Sequence, residues 1–129
     1  MAERRIKGLS GKGAEITVIA PSAAGYIEHA ASMELIHLIK RKYTKGDIAA
    51  LAPFLVIAAT DSRRVNHAVM AEANSLDTLA SVADCRGECT CIFPAIAENE
   101  NYIAALVSKN GSHSGVKKTA QKIREFFDS

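Results

Sequence analysis

The sequence predicts an α/β fold built on a parallel sheet with flanking helices. Two observations carry that prediction. Short β-branched runs alternate with helical stretches along the chain, an order that requires parallel strands joined by right-handed crossovers. The chain of 129 residues is 48% apolar with only 3 Pro and 8 Gly, which is enough to fill one core.

The elements follow in order. Residues 3–11 read as the tail of a helix, with Ile6 and Leu9 three apart and glycines at the end. Residues 15–20 form a β-branched run that Pro21 closes, and Ser22 is placed to cap a helix running to about Met33. A second strand follows at residues 35–39, and Thr44 with Asp47 suits a short helical turn. Residues 54–59 are the most continuous buried-strand signal in the chain. Asp61 or Ser62 then caps a helix whose apolar face is Val65, Val69 and Ala73. A fourth strand at residues 79–83 runs into Asp84 and a cysteine loop. Residues 95–108 read as a hairpin turning at residues 98–101. The last element, from His113 to Phe127, is a basic amphipathic helix with Val116, Ala120, Ile123 and Phe127 on one stripe. With neither repeat nor linker, residues 1–129 read as one domain.

Composition excludes several classes of function. A net charge of +2 with 5% aromatics and no Trp argues against a nucleic-acid surface. The basic clusters Lys40-Arg41-Lys42-Lys45 and Lys117-Lys118-Lys122-Arg124 read as solvated faces. No apolar run approaches the roughly 20 residues of a membrane span, and no apolar segment follows Met1 to Arg5, so a cytoplasmic protein is expected. Cys85, Cys89 and Cys91 are an odd number of thiols in one short segment, which fits a reducing compartment rather than a disulfide framework. Their C-x₃-C-x-C spacing is not that of a closed zinc site, and no histidines stand at paired ligand spacing. No metal site is assigned.

In parallel α/β sheets ligands bind beyond the carboxyl ends of the strands. Four loops lie there: Pro21-Ser22, Tyr43-Thr44, Thr60-Asp61, and the segment from Asp84 onward. Small polar residues and two carboxylates give that crevice the character of a nucleotide-type pocket with acid/base capacity. By itself, an aspartate at a strand end such as Asp84 is more commonly a loop cap.

The run Phe54-Leu55-Val56-Ile57-Ala58-Ala59-Thr60-Asp61, followed by Val65-Asn66, resembles the LVIAATDxxxVN signature of precorrin-2 dehydrogenases, a family that forms the N-terminal domain of siroheme synthase. Other blocks follow in the right order. Residues 13–21 resemble the GAxVTVVAP strand, Ser81-Val82-Ala83-Asp84 stands where the family has NVVD, and Ile92-Phe93-Pro94-Ala95-Ile96 resembles FIFPAI. Ser108, Gly111, Ser114 and Ile123-Arg124 follow the STxGxSPxxxxxIR pattern loosely. The resemblance implies a Rossmann-like fold and removal of hydride from precorrin-2 to NAD, leaving sirohydrochlorin. Many members also insert ferrous iron. It further implies Asp84 as general base, NAD contacts at Pro21, Ser22, Ala58, Ala59, Thr60 and Asp61, tetrapyrrole contacts at Ser108, Gly111 and Ser114, and a homodimer.

Two departures stand out. The chain starts level with the VAxRK part of the family's GGGxVAxRK loop, so the first strand and its phosphate-cradling glycines are missing from it. Losing about three charge-assisted hydrogen bonds, each ~1.5–3 kcal/mol, costs roughly 4–9 kcal/mol of cofactor binding. The strands at residues 15–20 and 54–59 are then expected to pair directly, or to recruit a second copy. Gly115 stands where relatives carry proline, and His113 is an added residue. The alternative to an NAD-dependent enzyme is a member of the same fold that binds tetrapyrrole or a partner without using NAD.

Overall fold

The computed structural model describes residues 1–129. Contacts group the chain into two compact units, Met1–Thr90 and Cys91–Ser129.

The first unit runs α1 (Ala2–Leu9), β1 (Thr17–Ile19), α2 (Gly25–Ser32), β2 (His37–Ile39), α3 (Asp47–Leu51), β3 (Leu55–Ala58), α4 (Arg63–Ser75) and β4 (Leu79–Val82), then a single 3-10 turn at Arg86–Glu88. Its strands form two parallel pairs. β1 lies on β2 with Thr17 opposite His37 and Ile19 opposite Ile39. β3 lies on β4 with Leu55 opposite Leu79 and Ala58 opposite Val82.

Each pair has its own core. Ile6 of α1 and Ile27 and Ala30 of α2 pack with Ile36 around the first pair. Ile48, Val69, Met70 and Ala73 pack with Ala58, Ala80 and Val82 of the second. The alternation expected of strands is muted, because β3 and β4 are covered along nearly their whole length. The expected direct pairing of the first and third strands does not occur, since β1 bonds only to β2 and β3 only to β4. Each pair already buries its apolar face under its own helices, so packing supplies no pull of β1 onto β3.

Two element-level expectations also change, and one open alternative is decided. The residue before α2 is Ala24, and no side chain caps that helix, so Ser22 stays in the loop. Phe54 precedes β3 and is 85% exposed, so the buried run begins only at Leu55. Of the two candidate caps for α4, Ser62 is the cap, accepting a hydrogen bond from Val65 N at 3.3 Å.

The second unit is a hairpin and a helix. β5 (Ala95–Glu98) and β6 (Ile103–Leu106) pair antiparallel, with Ala97 opposite Ala104. Asn99 closes the turn, its Oδ1 accepting from the backbone N–H groups of Asn101 at 2.9 Å and Tyr102 at 2.8 Å. α5 (His113–Asp128) packs on the hairpin through the predicted stripe, with Ala120 buried. Arg124 reaches back to donate to Ile96 O at 2.7 Å. No helix of the molecule is long and apolar enough to cross a membrane.

Candidate active site

The site forms where β3 and β4 end side by side. Ala83 extends the ladder one residue past β4, its N–H donating to Ala58 O at 3.2 Å, so Asp84 leaves the sheet at its carboxyl edge. Beside it, β3 runs out through Ala58 and Ala59 into the exposed Thr60 and Asp61. The first turns of α4 then rise over both strand ends.

Arg63, Asn66 and His67 share one face of α4 at i, i+3 and i+4. All three reach the loop after β4. Arg63 donates to Asp84 Oδ1 at 2.5 Å and through its other terminal nitrogen to Glu88 at 2.5 Å. Asn66 Nδ2 donates to Asp84 Oδ2 at 3.0 Å. His67 Nδ1 stands 3.0 Å from Glu88 Oε1. Asp84 is thus tied to α4, and the loop-cap alternative does not describe it: Cys85 occupies the cap position of the 3-10 turn, with no side-chain cap.

The charges in this cluster act on one another. His67 and Arg63 hold the Glu88 carboxyl below its ordinary range, outweighing partial burial. Burial pushes the Arg63 guanidinium down, but Glu88 and Asp84 carry it above its usual value. The two carboxylates also face the N-terminal end of α4, where the helix dipole favours negative charge.

Two of the three cysteines, Cys85 and Cys89, are built into this end of the first unit. Cys89 Sγ accepts from Val82 N at 3.3 Å and sits 3.4 Å from Val82 O, and Cys85 and Cys89 both pack on the core beneath. All three thiols are free, and nowhere do three His, Cys, Asp or Glu side chains converge as a metal site would require.

The sequence-derived positions are distributed unevenly. Ala58, Ala59, Thr60 and Asp61 lie at the end of β3, and of these Thr60 is joined to Asp84 through Asn66. Pro21 and Ser22 are exposed beyond β1, which belongs to the other strand pair. Ser108, Gly111 and Ser114 belong to the second unit. There Ser108 Oγ donates to Asn110 Oδ1 at 2.6 Å and accepts from Ser112 N at 2.9 Å, while Gly111 turns the chain at φ +78°. Ser112 caps α5 by accepting from Gly115 N at 3.1 Å. A pocket of about 250 Å³ opens there between Ser108, Asn110, Ser112 and Thr119. Ser114 lies on the first turn of α5, exposed.

Sequence reasoning missed Arg63 and Glu88 and gave Asn66 only a structural place on its helix. Their signal was present as the R-x-x-N-H spacing at the start of a helix facing a carboxylate-bearing loop.

Comparison with known proteins agrees with this architecture. A family model described as "Putative NAD(P)-binding" matches residues 1–95, the whole of the first unit and its exit. The chain belongs to this NAD(P)-binding family. Its ligand class agrees with the expected cofactor, NAD. Among relatives, a "Probable multifunctional siroheme biosynthesis protein HemA" of Ruminiclostridium josui is 40% identical over 97% of the chain. A "Siroheme synthase" of Psychrobacter arcticus is 38% identical over 86% of it. The chain spans only 24% and 20% of those two proteins. Among solved structures, "SirC, precorrin-2 dehydrogenase" superposes with a TM-score of 0.84 at 24% identity, covering 96% of this chain and 60% of that one. That likeness establishes the Rossmann-like α/β fold.

Proposed function

We propose that this chain serves siroheme biosynthesis as an NAD-dependent dehydrogenase, oxidising precorrin-2 to sirohydrochlorin. The observation that carries the reading is the placement of Asp84. A carboxylate held at the carboxyl end of β4, next to the Thr60 loop of an NAD(P)-binding family member, stands where a base would serve a hydride transfer.

The residues present fit part of the cofactor. Ala58 and Ala59 are small and Thr60 and Asp61 are exposed, so the end of β3 can accept the nicotinamide side against its backbone. Pro21 and Ser22 would take the adenosine ribose. The left-handed Gly11 and Gly13 follow α1 rather than precede a helix, so they do not form a pyrophosphate cradle. NAD, when bound, supplies the hydride acceptor. The chain's own contribution is to hold a proton acceptor in place. Asp84 takes the proton that balances hydride loss, so precorrin-2 and NAD give sirohydrochlorin, NADH and one proton. Arg63 and Asn66 fix the carboxylate meanwhile.

Ser108, Gly111 and Ser114 are proposed to contact the substrate, and the basic face Lys117-Lys118-Lys122-Arg124 to attract its carboxylates. Ferrous iron would be a second substrate, with Asp84 escorting it to sirohydrochlorin. We place the protein in the cytoplasm as a homodimer.

Incubation with precorrin-2 and NAD, followed by absorbance of NADH and sirohydrochlorin, tests the reading. Turnover that Asp84→Ala abolishes supports it; full activity in Asp84→Ala sinks the assignment. Sirohydrochlorin with ferrous iron or cobalt tests metal insertion separately. One observation favours the alternative, a tetrapyrrole- or partner-binding member that does not use NAD. The loops at Ser22 and Thr60 are carried by separate strand pairs, so no common ladder sets their spacing. Calorimetric titration with NAD decides between the two.

A further inference from the structure

Asn66 is fully buried, at 0% exposure, one helical turn from the exposed Arg63. Every hydrogen-bonding position of its amide is used. Oδ1 accepts from Thr60 N at 3.1 Å and from Thr60 Oγ1 at 2.6 Å. Nδ2 donates to Thr60 O at 3.0 Å and to Asp84 Oδ2 at 3.0 Å. Two lone pairs and two N–H groups are the whole capacity of the side chain. Its orientation is also determined. The backbone N–H of Thr60 can only donate, so Oδ1 must face it, and the flipped amide would set oxygen against both a carbonyl and a carboxylate.

The two oxygens of Asp84 are therefore held differently. Oδ2 is held by a buried, saturated amide on a helix, whereas Oδ1 is held by an exposed guanidinium already shared with Glu88. A long exposed side chain loses little by changing partners, while breaking a buried amide bond leaves polar groups unsatisfied.

We propose that Asn66 is the positioning residue of this site. It fixes Asp84 through Oδ2 and to the Thr60 loop, and leaves Oδ1, which Arg63 steadies from the surface, as the oxygen presented to substrate. The catalytic part rests on the reading of Asp84 as the base; the holding of residue 84 by residue 66 does not.

The full chain is tested as Asn66→Asp, Asp84→Asn and the double variant carrying both. Asn66→Asp keeps the shape and the two bonds that Oδ1 accepts but turns the donor facing Asp84 and Thr60 O into a carboxylate oxygen. Its kcat for NADH formation from precorrin-2 is expected to fall roughly 10- to 100-fold, the size of effect a small misplacement of a reacting group produces, with KM for both substrates held. The double variant restores an amide-to-carboxylate bond in the reverse sense. It is expected to regain part of the unfolding temperature lost in Asn66→Asp, the share that belongs to residue 84, since Thr60 O stays without its donor, with no return of turnover. Unfolding effects that simply add, or an Asn66→Asp chain with wild-type kcat, overturn the inference. If Asp84→Asn turns over normally, or the wild-type chain does not turn over at all, the base assignment fails instead. Non-additive unfolding in the cycle then still upholds the hold of Asn66 on residue 84.

Discussion

The Arg63 guanidinium lies 2.5 Å from Asp84 Oδ1 and gives its second terminal nitrogen to Glu88, so one cation serves two carboxylates. Both ion pairs are partly exposed, and such pairs contribute about 0–1 kcal/mol to folding. The placement of Asp84 depends on them more than stability does. Arg63→Gln is expected to change the free energy of urea unfolding by no more than about 1 kcal/mol. On the proposed function, its turnover of precorrin-2 should fall roughly tenfold or more as Asp84 loses one of its two anchors. A loss of stability as large as the loss of activity would make Arg63 a folding residue.

The α4 cap gives a cleaner pair of variants. Ser62 Oγ receives the Val65 N–H, whereas the adjacent Asp61 is exposed and does not cap. Ser62→Ala is expected to cost ~1 kcal/mol, within the usual range for a lost N-cap. Asp61→Ala should stay within about 0.5 kcal/mol, as surface substitutions do. Chemical denaturation of the two variants side by side measures both.

That pair also marks how far the sequence could be read. Periodicity located α4 and β3 to within a residue or two, because Val65, Val69 and Ala73 recur at helical spacing and Val56, Ile57 and Ala58 are continuous. Asp61 and Ser62 are equivalent as capping residues, and only the exit angle of the chain from β3 decides between them. Ser22 failed as a cap for the same reason, since the loop carries it away from the first turn of α2. Thr60 and Asp84 were readable as strand-end residues. The link between them was not, because an Asn at i+3 from an Arg is common on any helix. It gains meaning only when the neighbouring strand ends in a carboxylate. The split of the sheet into two pairs depends on which strands find partners, which no local pattern encodes.

Glu72 joins α4 to the segment ahead of β3. It is buried and accepts from Tyr43 Oη, from Gly46 N at 2.9 Å and from Ala49 N at 3.3 Å. Burial pushes its carboxyl up, but these donors bring it net below the ordinary range. Glu72→Ala would leave two backbone N–H groups at the start of α3 without their acceptor. It is expected to cost ~2–3 kcal/mol, against ~1 kcal/mol for Tyr43→Phe, which removes a single hydroxyl. Thermal unfolding ranks them, and equal effects would place the weight on the tyrosine contact.

Acid stability tests a second carboxylate in the same segment. Asp47 takes a two-pronged ion pair from Arg41, both bonds 2.8 Å, and a further hydrogen bond from Thr44 N at 2.8 Å. The Arg41 hydrogen bonds are the largest cause of its low pKa, about 2 against an ordinary 3.8. Because the folded value lies below the unfolded one, the unfolded chain binds this proton first as pH falls. The stabilisation from Asp47 is therefore complete above about pH 4 and is lost progressively as pH drops toward 2. Glu72 and Glu88, also held below their ordinary range, act in the same direction. Asp47→Asn removes the Asp47 share alone. Between pH 4 and 2 the unfolding free energy of the wild-type chain should decline more steeply than that of the variant, and above pH 5 the two curves should run parallel. Identical slopes across the acid window would mean that the Arg41 pair does not persist in solution.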